Sequence, residues 1–267
     1  MPNIAIAGAA GRMGQTLVQA VYDSSEDLRV SVATVLAGDP LLGQDVGLLA
    51  LGKAIGVTSC TSLQQGADFD VLIDFTSPEA TMGHLDYCQA QQKSLVIGTT
   101  GLDQGQLDAV NVAGQHIPVV FAPNMSLGVN VCFQLLEQAA RLIGHDVDIE
   151  IVETHHRHKK DAPSGTALAM GEIVARVLGR KLQDCAVYGR EGNTGERARE
   201  TIGFATIRAG DVVGEHTVIF AAAGERIEIT HKASSRMTFA RGAVRAASWL
   251  QGKPPGVYSM QDVLVDS

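Results

Sequence analysis

Apolar residues in the first half of the chain fall into short blocks at residues 3–7, 30–36, 71–75, 94–98 and 117–121. Between them, residues 15–21, 78–91 and 103–113 carry apolar side chains three and four apart, the spacing of a helix that covers a core. Strand-length blocks alternating with helical stretches predict parallel β-α units and a doubly wound sheet. From about Ser126 the pattern changes. An apolar helix through about Ile143 leads into a strand at 147–152, and a second helix runs from Ser164 to about Leu178, where Gly179 stops it. Three β-rich segments follow at 201–208, 215–221 and 226–231, joined by short connections containing Ala209-Gly210 and Gly224-Glu225. That spacing predicts a meander and, with strand 147–152, a largely antiparallel or mixed sheet flanked by helices. Residues 235–250 read as a helix, and the remainder through Val265 is expected to pack back on the first part. The expected class is α/β. A Rossmann-like doubly wound parallel sheet takes residues 1–125 and 236–267, and a second α+β domain takes 126–235.

The turns between these elements carry the first chemical signal. Gly8-Ala9-Ala10-Gly11-Arg12-Met13-Gly14 lies between the first strand and the first helix. Glycines there let the main chain approach a pyrophosphate, whose charge is favoured at a helix N-terminus. The spacing G-x-x-G-x-x-G differs from the commoner G-x-G-x-x-G, and a tight turn without ligand is the plainer alternative. Three later strand ends carry small or polar residues: Phe75-Thr76-Ser77-Pro78, Gly98-Thr99-Thr100-Gly101 and Ala122-Pro123-Asn124-Met125. Singly these are ordinary turn chemistry. Together they fall on the sheet edge where ligands bind in such folds, so they are read as lining the nicotinamide end of a dinucleotide. The second strand ends in Thr34-Val35-Leu36-Ala37-Gly38-Asp39, with no basic residue and only a late acidic one to meet a ribose or a 2′-phosphate.

Composition narrows the partners. Lys and Arg number 21 against 29 Asp and Glu, a net charge of −8, which argues against nucleic acid as the main partner. No apolar run approaches the roughly 20 residues of a membrane span, and no basic-then-apolar leader is visible at the N-terminus. Cys60, Cys88, Cys132 and Cys185 are scattered, as expected of reduced thiols in a cytoplasmic protein. Against this acidic background His155-His156-Arg157-His158-Lys159-Lys160 stands out, placed between a strand and a helix start. Ser164 is a natural N-cap, and the backbone N–H groups at Gly165 and Thr166 can receive a carboxylate. A solvated basic loop is the bland alternative, and the histidine spacing gives little support for a metal site.

The stretches GAAGRMG (8–14), GTTG (98–101), HHRHK-x-DAPSGTA (155–167), GERARETIGFATIRAGDVVGEHT (195–217) and ITHKASSRMTFARGA (229–243) resemble the dihydrodipicolinate reductase family over nearly the whole chain. The resemblance implies NADH or NADPH as cofactor, a cyclic dicarboxylate substrate reduced with loss of water, and a homotetramer. It also implies roles. His155 corresponds to the acid/base histidine and Lys159 to the proton donor, while His156, Ser164, Gly165 and Thr166 correspond to the substrate site. Gly8, Ala9, Ala10, Gly11, Arg12 and Met13, then Gly98, Thr99 and Thr100, then Ala122, Pro123, Asn124 and Met125 correspond to the cofactor contacts. The chain departs from the family at Val35 and Leu36, where many members place an acidic or variable residue and an arginine. Two competing readings are another NAD(P)-dependent amino-acid or oxo-acid dehydrogenase, and a nucleotide-sensing module without turnover. The second predicts cofactor binding that survives loss of His155 and Lys159.

Overall fold

The structure, a computed structural model, describes residues 1–265. In chain order the elements are β1 (Asn3–Ile6), α1 (Arg12–Tyr22), β2 (Arg29–Ala33), α2 (Val46–Leu51), β3 (Val71–Asp74), α3 (Pro78–Ala90), β4 (Ser94–Ile97), α4 (Gln104–Ala113) and β5 (Pro118–Phe121). Then come α5 (Leu127–Ile143), β6 (Asp148–His155), α6 (Gly165–Val177), α7 (Leu182–Cys185), β7 (Ala186–Tyr188), β8 (Ile202–Arg208), β9 (Gly214–Ala221) and β10 (Arg226–Ala233). The chain closes with α8 (Met237–Trp249), β11 (Gly256–Tyr258) and α9 (Met260–Val265). Two compact units result: Met1–Leu127 with the chain from Arg236 on, and Gly128–Ser235.

The first unit is built on six parallel strands in the order β11-β5-β4-β3-β1-β2. Its central strands are buried on both faces, hence their continuous apolar runs such as Val71-Leu72-Ile73. The chain leaves β1 toward β2 on one side and returns to β3 on the other, so the glycine loop after β1 sits where the winding direction reverses, the usual ligand crevice of such sheets. Helix α1 starts three residues earlier than its apolar spacing suggests, with Gly11 as N-cap. It presses Leu17, Val18 and Val21 into the core, burial worth about 1.5–3 kcal/mol for each such side chain. Gly14 permits this seat: a Cβ there would stand 2.2 Å from the Gly8 carbonyl oxygen. Helix α8 buries Ala240, Ala243, Ala246 and Ala247 in the same core. Its Gly242 lies against the loop after β5, where a Cβ would stand 1.7 Å from the Met125 carbonyl oxygen. Residues 256–265 pack back on this unit, with β11 adding a sixth parallel strand beside β5 and Met260 and Val263 of α9 in its core.

The second unit departs from the expected meander. Its five strands run β10-β9-β6-β8-β7, and only β9 and β10 form a hairpin. Strand β6 lies between β8 and β9, parallel to the first and antiparallel to the second. With β7 parallel to β8, the sheet is mixed, the second of the two forms expected, with two parallel and two antiparallel pairings. The cause is the β8–β9 connection, which passes over the end of β6 instead of turning tightly. Ala209 N–H donates to the His155 carbonyl at 2.9 Å, and Arg157 N–H donates to the Gly210 carbonyl at 3.2 Å. Helices α5 and α6 cover one face, packing Leu136, Ala140, Met170 and Val174 against Ile149, Ile151, Phe204, Val218 and Phe220.

Candidate active site

Because the first unit's sheet is wholly parallel, the loops after β1, β3, β4 and β5 share its carboxyl edge. Gly8 adopts φ +67°, a left-handed conformation suited to glycine, and its Cα faces the Thr76 methyl. Ala9 N–H bonds to the Thr34 carbonyl at 2.8 Å, and Gly11 N–H to the Gly8 carbonyl at 3.0 Å. Gly11 caps α1 without a side-chain bond and no acidic residue occupies its first turn. Arg12 and Met13, expected in the turn, are therefore the first residues of the helix, where backbone donors are open to an anion. A glycine cradle over such a terminus fits a dinucleotide phosphate.

Beneath these loops lies a buried polar network. Asp74, fully buried at the end of β3, accepts bonds from Thr76 N–H (2.8 Å) and Thr76 Oγ1 (2.6 Å). Its other oxygen lies 2.8 Å from His84 Nδ1. Thr99 Oγ1 accepts from Thr76 N–H at 3.2 Å and from Thr81 Oγ1 at 2.9 Å. Burial works to raise the Asp74 carboxyl, but His84 and Thr76 outweigh it and hold the group below its ordinary value. Gly98 packs under Phe75, where a Cβ would stand 2.3 Å from the ring. Ala122 is tied to Ile97 and Asn124 Oδ1 accepts from Ser126 N–H, while Thr100 and Pro123 are exposed. At the other end of the edge, Val35 is buried and Leu36 is 81% exposed. Ala9, Ala10, Val35, Leu41, Val46 and Leu49 surround a shallow recess, partly open to solvent. Asp45 beside it is already bonded by the backbone of Gly47, Ile55 and Gly56.

In the second unit, β6 runs on through His155, and strict alternation carries a polar pair onto the core face: Ile149, Ile151, Glu153 and His155 are all buried. Glu153 is the centre. Its Oε2 lies 2.6 Å from His155 Nδ1, Arg208 grips both carboxylate oxygens at 2.8 Å, and Ser164 N–H donates to Oε1 at 3.0 Å. Burial acts to raise the carboxyl, yet Arg208 and His155 bring it down to about 2. An ionised carboxylate only accepts, so His155 carries its proton on Nδ1 and keeps Nε2 as the unprotonated nitrogen. Burial, ahead of Lys159 and Arg208, holds the His155 ring below the ordinary imidazole value, while Glu153 pulls it up.

His216 faces Glu153 across the β6–β9 pairing. Its Nε2 lies 2.8 Å from Ser164 Oγ, and its ring meets His155 edge-on with centroids 5.0 Å apart. Burial first, then the neighbouring His155, push it down to about 4, so it is neutral. Ser164 Oγ also caps α6 through Ala167 N–H. No acidic residue lies in the first turn of α6, and a Cβ on Gly165 would meet nothing within 4 Å. The helix start is thus an open anion cradle fastened to the histidine pair.

The other cluster members separate. His156 lies just past the end of β6, half-buried, with Nδ1 enclosed and without a hydrogen-bond partner. Lys159 pairs with Asp161 at 2.9 Å and lies near enough to His155 to lower it. Arg157, His158 and Lys160 are exposed. Among the described residues no group of three or more His, Cys, Asp or Glu side chains is arranged to hold a metal ion. Glu153, Arg208 and His216 were missed from sequence. Their signal was the period of two: a charged or titratable residue on the apolar face of each of three strands.

A doubly wound sheet with a glycine cradle at its switch point, joined in one chain to a histidine–carboxylate cluster beside an anion cradle, defines a nucleotide-dependent oxidoreductase. Residues 2–125 match the family described as dihydrodipicolinate reductase, N-terminus, and residues 128–264 match dihydrodipicolinate reductase, C-terminus. The chain belongs to the dihydrodipicolinate reductase family. Relatives named 4-hydroxy-tetrahydrodipicolinate reductase from two strains of Pseudomonas fluorescens, SBW25 and Pf-5, are each 59% identical over 265 residues, covering 99% of this chain and 99% of theirs. A solved structure, dipicolinate-bound dihydrodipicolinate reductase from Paenisporosarcina sp. TG-14, shares the fold at a TM-score of 0.74 and 23% identity, over 98% of this chain and 99% of that one. No helix among the described residues is long and apolar enough to cross a membrane.

Proposed function

We propose that the chain reduces 4-hydroxy-tetrahydrodipicolinate to tetrahydrodipicolinate, consuming one hydride and one proton and releasing water, in the lysine and diaminopimelate pathway. The observation that carries the reading is His155, its Nδ1 bonded to buried Glu153 and its ring beside the open start of α6. The first unit holds the nicotinamide cofactor, through residues 8–13, 98–100 and 122–125. When bound, the nicotinamide supplies the hydride.

The second unit holds the substrate. One carboxylate of the ring accepts the N–H groups of Gly165 and Thr166, which Ser164 orients, and His156 meets a second polar group. Hydride addition to a conjugated imine leaves an electron-rich framework that must gain a proton. His155 and Lys159 serve that transfer, an imidazole able to exchange protons near neutrality beside an ammonium. At the adenosine end, no side chain at Val35 or Leu36 can read a 2′-phosphate, so this reading has NADH and NADPH used with little discrimination. A homotetramer is part of it, supported by the second sheet's outer face, where Val152, Thr217 and Ile219 are only half-buried and Ala205 and Ile207 are exposed. A cytoplasmic location is supported by the four free, scattered cysteines.

The direct test follows cofactor oxidation with freshly generated substrate, NADH and NADPH in parallel. Turnover that requires the dicarboxylate, and that collapses in His155→Ala and Lys159→Ala, is expected. Absence of turnover with either cofactor overturns the assignment. Sedimentation of the purified protein tests the tetramer, and a monomer at micromolar concentration removes it.

A further inference from the structure

We propose that Glu153 and Arg208 act as an opposed pair of positioning residues for His155: Glu153 locks the ring's tautomer and orientation, and Arg208 limits how far that carboxylate can raise the ring's proton affinity. The proposal rests on the reading of His155 as the acid/base group.

The geometry carries it. Glu153 and His155 are two places apart on β6, so their side chains share a face, and the Nδ1 contact of 2.6 Å is short, as expected of a charge-assisted bond. Arg208 stands opposite His155 on β8 and reaches back to Glu153 with both terminal nitrogens. The same guanidinium donates to the Asp161 and Ile207 carbonyls at 2.7 Å, which fixes the fork in place. On the opposite side of β6, Gly214 lets β9 pack close against the ring: a Cβ there would stand 3.0 Å from Nε2. The ring is thus hydrogen-bonded at Nδ1 only, and Nε2 is left without a protein partner among the described residues. The charged and titratable groups facing it are Glu153 on its own strand, Lys159 and Asp161 in the following loop, Arg208 on β8 and His216 on β9.

A lone buried carboxylate bonded to an imidazole favours the imidazolium. Such a ring would bind its proton strongly and release it late. A guanidinium bonded to the same carboxylate draws off part of that field, leaving the hydrogen bond while reducing the pull. Two consequences separate this role from simple structural support. Glu153→Gln lowers the proton affinity of His155 and frees the tautomer to invert, because an amide can donate to Nδ1. Arg208→Met leaves Glu153 with His155 and the neutral Ser164 N–H as partners and raises the ring's proton affinity. A merely structural pair would lower stability in both variants and shift the ring in neither.

The experiment is a titration of the His155 imidazole in the full-length protein by ¹⁵N and ¹³C NMR, with selectively labelled histidine and His155→Asn for assignment. Opposite displacements of about one pH unit or more, down in Glu153→Gln and up in Arg208→Met, are expected. The His155-dependent limb of kcat/KM should move in the same directions. Displacements of the same sign, or none in either variant, overturn the proposal. The wild-type tautomer decides independently should a variant fail to fold: the proton must sit on Nδ1 with Nε2 bare at neutral pH, and the reverse rules the proposal out. If His155→Ala keeps full turnover, the reading of the reaction fails instead, and the tautomer and titration results still stand on their own.

Discussion

The two units each bury a carboxylate against a histidine Nδ1 at the end of a central strand: Asp74 with His84 at 2.8 Å, and Glu153 with His155 at 2.6 Å. Their other partners differ. Asp74 is completed by the backbone N–H and hydroxyl of Thr76, neutral donors that belong to the loops above the sheet edge. Glu153 is completed by a bidentate guanidinium and by the N–H that opens α6. The first arrangement uses a charge to hold loops in shape. The second uses a charge to hold another titratable group at a chosen proton affinity. The same dyad therefore organises a surface in one place and prepares a reacting group in the other.

The sharpest way to break the comparison is to delete each histidine. His155→Ala should lower kcat by about 10²–10⁴-fold, the usual contribution of general acid–base catalysis. His84→Ala should leave kcat within a fewfold and act through KM for the nucleotide, raised about tenfold by loss of one bond to a charged group of about 1.5 kcal/mol. Steady-state kinetics with both substrates varied separates them, and equal losses in kcat would erase the distinction drawn here.

Stability gives the next largest contrast. Arg208→Met strands Glu153 without its main partner and should cost about 3 kcal/mol, whereas Thr76→Val removes one hydroxyl from Asp74 and should cost about 1 kcal/mol, both read from urea unfolding. Acid separates the units further. His216, held to about 4 when folded, is neutral there while the unfolded chain takes up a proton below the ordinary value of 6.5, so stability falls as pH drops through that window. Glu153, depressed from 4.5 to about 2, contributes stability present above 4.5 and lost as pH falls toward 2. Asp74, also depressed, begins to lose its contribution only below 3.8. The second unit should therefore weaken first. The single tryptophan, Trp249, lies in α8 of the first unit, so backbone circular dichroism should change before tryptophan fluorescence on acidification. The smallest effect is at the adenosine end, where Leu36→Arg should tighten NADPH binding about tenfold and leave NADH unchanged, by fluorescence titration.

Much of the candidate site was legible because its signals are local. The glycine loop, the polar strand ends and the Ser164 cap each occupy a few consecutive residues whose chemistry implies their conformation. Arg208 and His216 were not legible in this way. Arg208 reaches Glu153 from 55 residues along the chain, and Ser164 meets His216 from 52. Nothing local announces those pairings. The sheet order escaped for the same reason: 209–213 looks like a hairpin loop, and only its bonds to His155 and Arg157 show that another strand passes beneath it. Short elements such as α2, α7 and β11 were also missed, since a stretch of three to six residues shows too little periodicity to stand out.

The edge strand β11 and helix α8 have a consequence for the order in which the protein can mature. A ribosome delivers the chain from its first residue, and units fold as they emerge. All of residues 128–235 is available before α8 can cover the core formed by α1, β1 and β3, or β11 can pair with β5. The inserted unit can thus be complete while the first still exposes the apolar surface that Ala240, Ala243, Ala247 and Leu250 will close. The nucleotide-binding half begins first and finishes last, which makes the nascent chain most exposed to aggregation, and most in need of chaperone protection, along the bare β5 edge.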